Sequence, residues 1–402
     1  MNPTRYVPIA RAVTLFIVFG ALIALVWWYL YIGREQASID EIAAGRGFGS
    51  AIPTFEAPGG STFNNLMGAL PASVSQGEEK RRPRLSQVHA APVAGFRLSS
   101  TSIQYMDRSG YLYTADLEAE RVARTSNTLI PRVYRAFLSD EAVFGFWFDE
   151  GGEAEAFVGV MGKATTSGSL PAIQTRPLGS SVRAAASARG SLFSLIEEPG
   201  GGTALVKSRF DSTSPELLLR SGIGAWNIDA AGSRVALIEK PASGVPGSAY
   251  QVIKGERELL VKNVPGLTLK LRESSGTFLY GVDAGTLSLY VRTERERLVP
   301  LRTIAEKCVW APEETENPLA YCAVPSDVSS EAFLDDWYRG AVRTRDSWWR
   351  IDASDASVKE IYSPPDVALA LDVANPQVDP SGKHIVFQNK YDETLWVLRV
   401  RE

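Results

Sequence analysis

A short turn that ends in glycine recurs along the chain and constrains the fold more than any other sequence feature. Each copy is followed at once by an apolar, strand-like segment. The four clearest copies are Ser187–Gly190, Asp229–Gly232, Glu273–Gly276 and Asp379–Gly382, and the first three glycines are 42 and 44 residues apart. Glycine adopts the positive φ of a tight hairpin, and small polar residues before it favour a turn. A period in this range predicts an array of similar β units.

The segments between these turns predict seven units of about four short strands each. Weaker copies begin at Ile103–Met106, Ala142–Phe148 and Leu319–Ala323. An isolated sheet of this kind cannot bury both of its faces, whereas a closed ring of sheets can. We therefore predict an all-β fold, a seven-bladed β-propeller over residues 84–402. The alternative, a β-sandwich or two smaller β domains, does not account for the recurring period.

The last unit resembles the repeat of TolB-like (WD-repeat-like) β-propellers. Residues Asp379–Phe387 read DPSGKHIVF, and Thr394–Leu398 read TLWVL. The family repeat runs Pro-Asp-Gly-Lys, an apolar strand, and then a strand with Ile/Leu-Trp. The match is good in this unit, partial in units three to five and poor in unit six. The resemblance implies the fold but no single activity, because such repeats occur in binding proteins, envelope factors and non-catalytic parts of peptidases. The whole arrangement is also similar to uncharacterised membrane-anchored propellers of bacteria.

The end of the chain predicts how the ring closes. In a typical unit four strands follow one another, but the last unit ends at Glu402, directly after its third strand. Its fourth strand must then come from elsewhere. Residues 84–89 precede Val93–Leu98, the expected inner strand of unit one, so we expect them to complete the last blade.

An uncharged apolar segment near the N-terminus predicts a transmembrane helix. Ala12–Ile32 contains 21 residues without a charge and ends in an aromatic cluster. At the helical rise it spans about 32 Å, enough to cross a bilayer core. The alternative is a cleaved signal peptide, whose apolar region is shorter and ends in small residues. Arg5 and Arg11 precede the span without nearby acids, so we expect residues 1–11 in the cytoplasm and the propeller outside.

Residues 33–83 are rich in Gly, Ala, Ser and Pro, and they predict a flexible linker between the anchor and the propeller. The basic run Lys80–Arg84 follows two glutamates and is interpreted as part of this solvated linker. With a formal net charge of −4, the chain has no general attraction for nucleic acid. The expected partners are the lipid bilayer, through residues 12–32, and another envelope protein.

The chain contains only two cysteines and two histidines, which nearly excludes a structural zinc site. Cys308 and Cys322 lie on neighbouring predicted strands of unit six, where a hairpin would place them opposite each other. Such cross-strand pairs are close enough for a disulfide, and an exported protein meets a compartment that permits one. The alternative is a pair of buried thiols. His384 flanks a blade strand and is expected to be structural.

Unit six also carries a long insert, from Pro325 to about Arg345. Long inserts on a rigid β scaffold tend to be functional. We predict a partner-binding loop formed by Asp335, Asp336, Trp337, Tyr338 and Arg339, because aromatic rings beside arginine anchor protein partners. A self-packed loop in which Trp337 covers a sheet edge, and a ligand or ion site, are the alternatives. Trp348 and Trp349, on the following strand, are expected in the blade core.

Neither a catalytic motif nor a cofactor-binding motif is found, including the nucleophile elbow, the zinc-protease helix and the phosphate-binding loop. We therefore expect no cofactor and no metal, and predict an extracytoplasmic binding or scaffold module of the cell envelope. The alternative is a cell-surface hydrolase or lyase that acts on glycans or peptides. It would use acids from different blades at the propeller channel, a pairing that leaves no spacing signal in sequence.

Overall fold

The computed structural model describes residues 81–163, 170–179, 181–274, 276–313, 317–328, 330–365 and 370–400. All of them belong to one compact unit, Ser75–Glu402. The predicted cytoplasmic tail (1–11), the transmembrane helix (12–32) and the linker (33–83) up to residue 80 lie outside the described residues. No helix among the described residues is long and apolar enough to cross a bilayer.

Within the described residues, twenty-eight strands form seven four-stranded antiparallel sheets, so the predicted seven-bladed propeller is confirmed. Blades 1 to 6 each use four consecutive strands, from the innermost to the outermost. Blade 1 contains β2 (Val93–Leu98), β3 (Ser102–Asp107), β4 (Leu112–Asp116) and β5 (Val122–Arg124); blade 2 contains β6 (Val133–Leu138), β7 (Ala142–Phe148), β8 (Ala154–Met161) and β9 (Ile173–Gly179); blade 3 contains β10 (Val182–Ala188), β11 (Ser191–Glu197), β12 (Thr203–Ser208) and β13 (Glu216–Ser221).

The second half of the ring repeats the same order. Blade 4 contains β14 (Trp226–Ala231), β15 (Arg234–Glu239), β16 (Pro246–Ile253) and β17 (Glu256–Pro265); blade 5 contains β18 (Thr268–Leu271), β19 (Phe278–Asp283), β20 (Leu287–Arg292) and β21 (Glu296–Val299); blade 6 contains β22 (Cys308–Trp310), β23 (Leu319–Pro325), β24 (Asp346–Asp352) and β25 (Ser357–Tyr362); blade 7 contains β26 (Val373–Val378), β27 (His384–Asn389), β28 (Leu395–Arg399) and β1 (Leu85–His89). Two short helices precede β22 and β24: a 3-10 helix, Ala305–Lys307, and the α-helix α1, Phe333–Arg339.

Among the described residues, seven apolar clusters each lie between two neighbouring blades, and together they run around the whole ring. Strand β27 shows how one strand contributes to two of them. Ile385 and Phe387 pack against blade 6, while Val386 between them packs against blade 1. Successive side chains of a strand point to opposite faces. Burial of both faces therefore explains why these strands are continuous apolar runs rather than alternating ones.

The four turn glycines of the repeat all lie between the first and second strands of their blades. Gly190, Gly232, Gly276 and Gly382 have φ values of 72°, 61°, 79° and 68°. This is the left-handed region that favours glycine. At Gly232 a side chain would also meet a neighbouring one, because an added Cβ would lie 2.5 Å from the Glu273 Cγ.

Strand β1 pairs antiparallel with β28 and thereby joins the two ends of the propeller. Leu85 lies opposite Leu398, and Gln87 lies opposite Trp396. Val88 is 7% exposed and belongs to the cluster that also contains Val386 and residues of blade 1. The first described strand thus completes the last blade and covers an edge of β28 that would otherwise be open.

The basic run before β1 differs from the solvated linker that its sequence suggests. Arg82 is 5% exposed. Its backbone N–H donates to the Glu118 carbonyl at 2.8 Å, and its Nε donates to the Asp116 carbonyl at 2.9 Å. Residues 81–82 therefore lie against the β4–β5 turn of blade 1, whose carbonyl acceptors are not visible in the composition of the basic run.

The predicted disulfide is present, between Cys308 and Cys322. The two residues lie directly opposite each other on β22 and β23, with their Cα atoms 4.1 Å apart. Both are completely buried in the cluster between blades 5 and 6. The bond therefore links the two inner strands of the blade that carries the long insert.

The closing strand generates a test of stability. Val88→Ala removes two buried carbon atoms from the contact between blades 7 and 1, and we expect a loss of about 2 kcal/mol in the free energy of unfolding. The matched control is Val122→Ala on the outermost strand of blade 1, where valine is 44% exposed. Chemical denaturation of both variants measures the difference, and an equal effect of the two would contradict a stabilising role for β1.

Candidate functional site at one end of the central channel

The long insert of blade 6 lies on a defined face of the ring. In each antiparallel blade, the loop between the second and third strands lies on the same face as the loop that enters the innermost strand. The insert connects β23 to β24, so it shares this face with residues 300–307, before β22, and with Leu371 and Asp372, before β26. We call this side of the ring the insert face.

Local sequence explains why the insert forms the short helix α1. Asp335 and Asp336 lie in its first turn, and Arg339 lies in its last, where each charge complements the helix dipole. Gly340 ends the helix with a φ of 73°, and the N–H of Ala341 donates to the Asp336 carbonyl at 2.8 Å. A glycine in this conformation is a common helix terminator.

Buried contacts hold α1 against the loops of blades 4 and 5. Phe333, Leu334 and Trp337 form an apolar cluster with Leu287 and Ile304. The backbone N–H of Leu334 donates to the Asp283 Oδ2 at 3.0 Å, and the backbone N–H of Asp335 donates to the Ser243 Oγ at 3.1 Å. The helix is therefore fixed to the ring rather than projecting from it.

The predicted partner-binding residues point in different directions. Trp337 is only 4% exposed, so its ring is not available as an anchor for a partner. Its Nε1 instead donates to the Asp372 Oδ1 of blade 7 at 2.8 Å. Tyr338 points its hydroxyl toward the channel, while Arg339 is exposed on the outside, beside Asp336. A helix directs adjacent side chains to different sides. The sequence alone does not show which of these sides packs against the ring, so it does not show which of the side chains are buried.

A fully buried lysine lies beneath α1 and connects blades 6 and 7. The Lys307 Nζ donates to the Asp346 Oδ2 and the Asp372 Oδ1, both at 2.6 Å, and to the Thr344 Oγ1 at 2.9 Å. The exposed fractions of the Lys307 and Asp346 side chains are both 0%. Burial raises the pKa of Asp346 above its ordinary value, although Lys307 acts against this. Trp337 donates to the same Asp372 oxygen, so the insert helix shares this charge cluster.

Lys307 was not identified from the sequence. Its two carboxylate partners lie 39 and 65 residues away, one on β24 and one in the loop before β26, so no spacing pattern connects them. The one available signal was a lysine directly before a buried cysteine, at the start of an apolar strand.

The central channel forms a cavity of about 1070 Å³, and the inner strands of all seven blades line it. Trp337 and Tyr338 border it at the insert face. Five lining residues carry the polar groups discussed below: Arg135, Asn227, Asp229, Lys270 and Glu306. The volume is in the range of pockets that hold small molecules.

A chain of hydrogen bonds holds an acid in this channel. The Tyr338 hydroxyl donates to the Glu306 Oε1 at 2.6 Å, and Asn227 is hydrogen-bonded to the same tyrosine. Burial raises the pKa of Glu306 above its ordinary value, with Tyr338 and Lys270 acting in the opposite direction. Glu306 is therefore placed to hold a proton at a pH where an exposed glutamate has lost it.

Asp229, another acid that lines the channel, is fully engaged with protein groups. The Lys270 Nζ donates to its Oδ1 at 3.0 Å, and the Leu271 backbone N–H donates to its Oδ2 at 2.7 Å. Asp229 is thus neutralised by an adjacent cation, whereas Glu306 has no such direct ion pair among the described residues.

Arg135 on β6 lines the channel and has no acceptor among the described residues. It is exposed to the channel and forms neither a hydrogen bond nor an ion pair with the described residues, and its guanidinium carbon lies 5.1 Å from the centre of the Phe137 ring. Enclosure by the ring lowers its pKa from the ordinary value, while Glu306 acts to raise it. The channel therefore contains a cation whose donors are unused.

The structure places the remaining polar candidates in supporting roles. His384 is 3% exposed, and its backbone N–H donates to the Asp379 Oδ1 at 2.6 Å, within the last repeat turn. Trp348 is buried in the cluster between blades 6 and 7, and Trp349 packs against the neighbouring cluster. Within the described ranges, no group of three or more potential metal ligands comes together.

No protein-family model matches this sequence, and no curated protein matches it. Similar solved structures include the β-propeller domain of the Trilobed protease from Pyrococcus furiosus, at 10% identity and a TM-score of 0.46, with 78% of this chain and 98% of that chain covered. The WD40 domain of SCAP from fission yeast shows 9% identity and a TM-score of 0.41, covering 80% and 98%. The computationally designed Ika8 protein shows 11% identity and a TM-score of 0.45, covering 78% and 97%. The assignment of seven blades rests on the strand topology described above.

The buried charge cluster generates a second test of stability. Lys307→Met leaves Asp346 and Asp372 without their shared cation, and we expect the free energy of unfolding to fall by about 3–5 kcal/mol. Lys359→Met, at an exposed position of β25, is the matched control and should be nearly neutral. Chemical denaturation distinguishes the two, and a neutral Lys307→Met would show that the cluster does not connect blades 6 and 7 energetically.

Proposed function

We propose that this protein is a membrane-anchored, extracytoplasmic propeller of the TolB-like type that serves as a protein-binding or scaffold module of the cell envelope. One observation carries the proposal: α1 is fixed over the insert face by buried contacts with several blades. A surface held in this way loses little conformational entropy when a partner binds.

The exposed part of the insert face has the composition of a contact surface. Arg339 and Arg343 are exposed on the insert, and the Arg343 guanidinium carbon lies 3.8 Å from the centre of the Tyr391 ring. Tyr391, in the β27–β28 loop, is 54% exposed. Arginine and tyrosine are enriched in the energetic centres of protein interfaces. We define Arg339, Arg343 and Tyr391 as the insert patch.

The membrane anchor is supported by the 21 uncharged residues of Ala12–Ile32 and by the arginines before them. Removal of residues 1–32 should release the chain from the membrane fraction, because the rest of the sequence contains no comparable apolar run. Fractionation of cells that express either form measures this. Retention of the shortened form in membranes would contradict a single anchor at residues 12–32.

The partner prediction is tested by crosslinking of the intact chain in its native membrane, followed by mass spectrometry. Arg339→Glu combined with Arg343→Glu should remove a crosslinked envelope partner that the wild type retains, because the charge of the insert patch is reversed. The matched control reverses two exposed charges on outermost strands, Arg176→Glu with Lys359→Glu. A partner lost equally in both variants, or unaffected by both, would contradict binding through the insert patch.

A second candidate function is that of a hydrolase or lyase that cleaves a glycan or peptide in the channel. The observation that favours it is Glu306, whose raised pKa suits a general acid. The engagement of Asp229 with Lys270 weighs against it, because the second carboxylate of such a pair has to act as a base or nucleophile. Binding through the insert patch is therefore the preferred function.

A further inference from the structure

We propose that the central channel is a binding site for a small monoanion, a carboxylate on a hydroxylated molecule of sugar-acid size, and that Arg135 is its recognition residue. This site is distinct from the insert patch, so the inference does not depend on the proposed function.

The pairing of charges in the channel wall identifies Arg135 as the recognition residue. Three other cations that line the channel are each paired with a carboxylate: Arg97 with Asp140, Arg189 with Glu273, and Lys270 with Asp229. Arg135 has no such partner among the described residues. A guanidinium presents five N–H donors in a planar fork that matches a carboxylate.

The remaining lining cation, Lys390, is accounted for by the cluster beneath α1. Its Nζ lies 5.1 Å from the centre of the Trp337 ring, and the negative charge of Asp372 favours the charged form of the lysine. Lys307 and Lys390 together balance Asp346 and Asp372. This cluster therefore contributes no excess positive charge to the channel.

The protonation state of Glu306 decides whether Arg135 is available to bind an anionic ligand. Glu306 is near enough to act on the arginine electrostatically, but the two do not form an ion pair. The groups that act on Glu306 are Tyr338, Lys270, Asp229 and Arg135. Glu393, which also lines the channel, pairs with Arg108. With the Glu306 proton in place, the described residues of the channel therefore leave one positive charge uncompensated, and a bound monoanion would neutralise it.

Charge and polarity also define the class of ligand. One excess positive charge matches a carboxylate, whereas a phosphate dianion would need a second unpaired cation. The channel lining also includes the side chains of Asn227 and Tyr338 and, from blade 7, those of Asn375 and Gln377. Amide and hydroxyl groups of this kind bind the hydroxyls of a sugar acid, and the cavity of about 1070 Å³ is large enough for one.

The test uses the full-length chain in detergent, with D-glucuronate as the probe and D-glucose as its uncharged counterpart. Isothermal titration calorimetry should show saturable binding of glucuronate and much weaker binding of glucose. Arg135→Gln should weaken glucuronate binding about tenfold or more, because a charged hydrogen-bonding group is lost. Arg176→Gln, on the exposed outermost strand of blade 2, is the matched control and should bind as the wild type does. Thermal denaturation checks that both variants are folded.

The pH dependence provides a second measurement. Because the pKa of Glu306 is raised, binding should be strongest at a pH below that pKa at which the glucuronate carboxyl is still ionised. It should weaken as pH rises through the Glu306 pKa, when the ionised glutamate competes for Arg135. Glu306→Gln should keep glucuronate binding and remove this decline. Arg135→Lys keeps the charge but not the planar fork, so its affinity should lie between those of wild type and Arg135→Gln.

Three results would overturn the proposal. The first is no detectable glucuronate binding to the wild type, and the second is equal affinity in wild type and Arg135→Gln. The third is a preference for inorganic phosphate over glucuronate that is lost in Arg135→Gln, which would contradict the carboxylate class.

Discussion

Each sheet of this protein has two apolar faces, and only neighbours on both sides can bury them. This constraint explains the closed ring, because an open row of blades would expose one apolar face at each end. The ring closes because β1, the first described strand, pairs with β28 and so completes the last blade. The seven clusters between blades then form one continuous core, and the positions of the loops and of the channel follow from that closure.

The ring also explains why blade 6 can carry an irregular insert. The Cys308–Cys322 bond links its two inner strands, and Lys307 connects its entry loop to carboxylates of blades 6 and 7. A buried lysine with two carboxylates is stable only when hydrogen bonds satisfy the charges. Here Thr344 and Trp337 both donate to the Asp372 Oδ1, and the Val373 backbone N–H donates to the Asp346 Oδ2, while the Asp346 Oδ1 has no partner among the described residues. The insert helix is therefore part of the same structural unit as the ring, and its outer side can act as a preformed surface.

The channel and the insert face divide the chemistry of the protein between two sites. On the outside, Arg343 and Tyr391 form a stacked pair that is exposed to solvent. Inside, Glu306 and Arg135 are enclosed by the inner strands, where the local environment shifts the pKa of each. Tyr338 lies between the two sites, since it belongs to the insert but donates its hydroxyl to Glu306. A ligand in the channel and a partner on the insert face would thus contact the same short helix.

Much of the architecture could be predicted because it depends on local patterns. The spacing of Gly190, Gly232 and Gly276 is visible along the chain, and so is the hairpin that brings Cys308 opposite Cys322. The orientation of Trp337 could not be predicted. An exposed anchor and a buried contact use the same residue type, and Trp337 is buried only because Asp372 and Ile304 lie beneath it.

The sequence by itself determined the number of blades and the cysteine pairing, because hairpins and repeats are set by residues close together in the chain. The closing strand followed from the same repeat, because the last unit ends one strand short. Only the tertiary structure decided which charges are paired. Lys307 meets Asp346 and Asp372, and Arg135 meets no acceptor within the part of the chain that the structure describes, because these groups come from different blades that the closed ring brings together. Electrostatic interactions depend on distance in space and on burial, and neither can be read from positions along the chain.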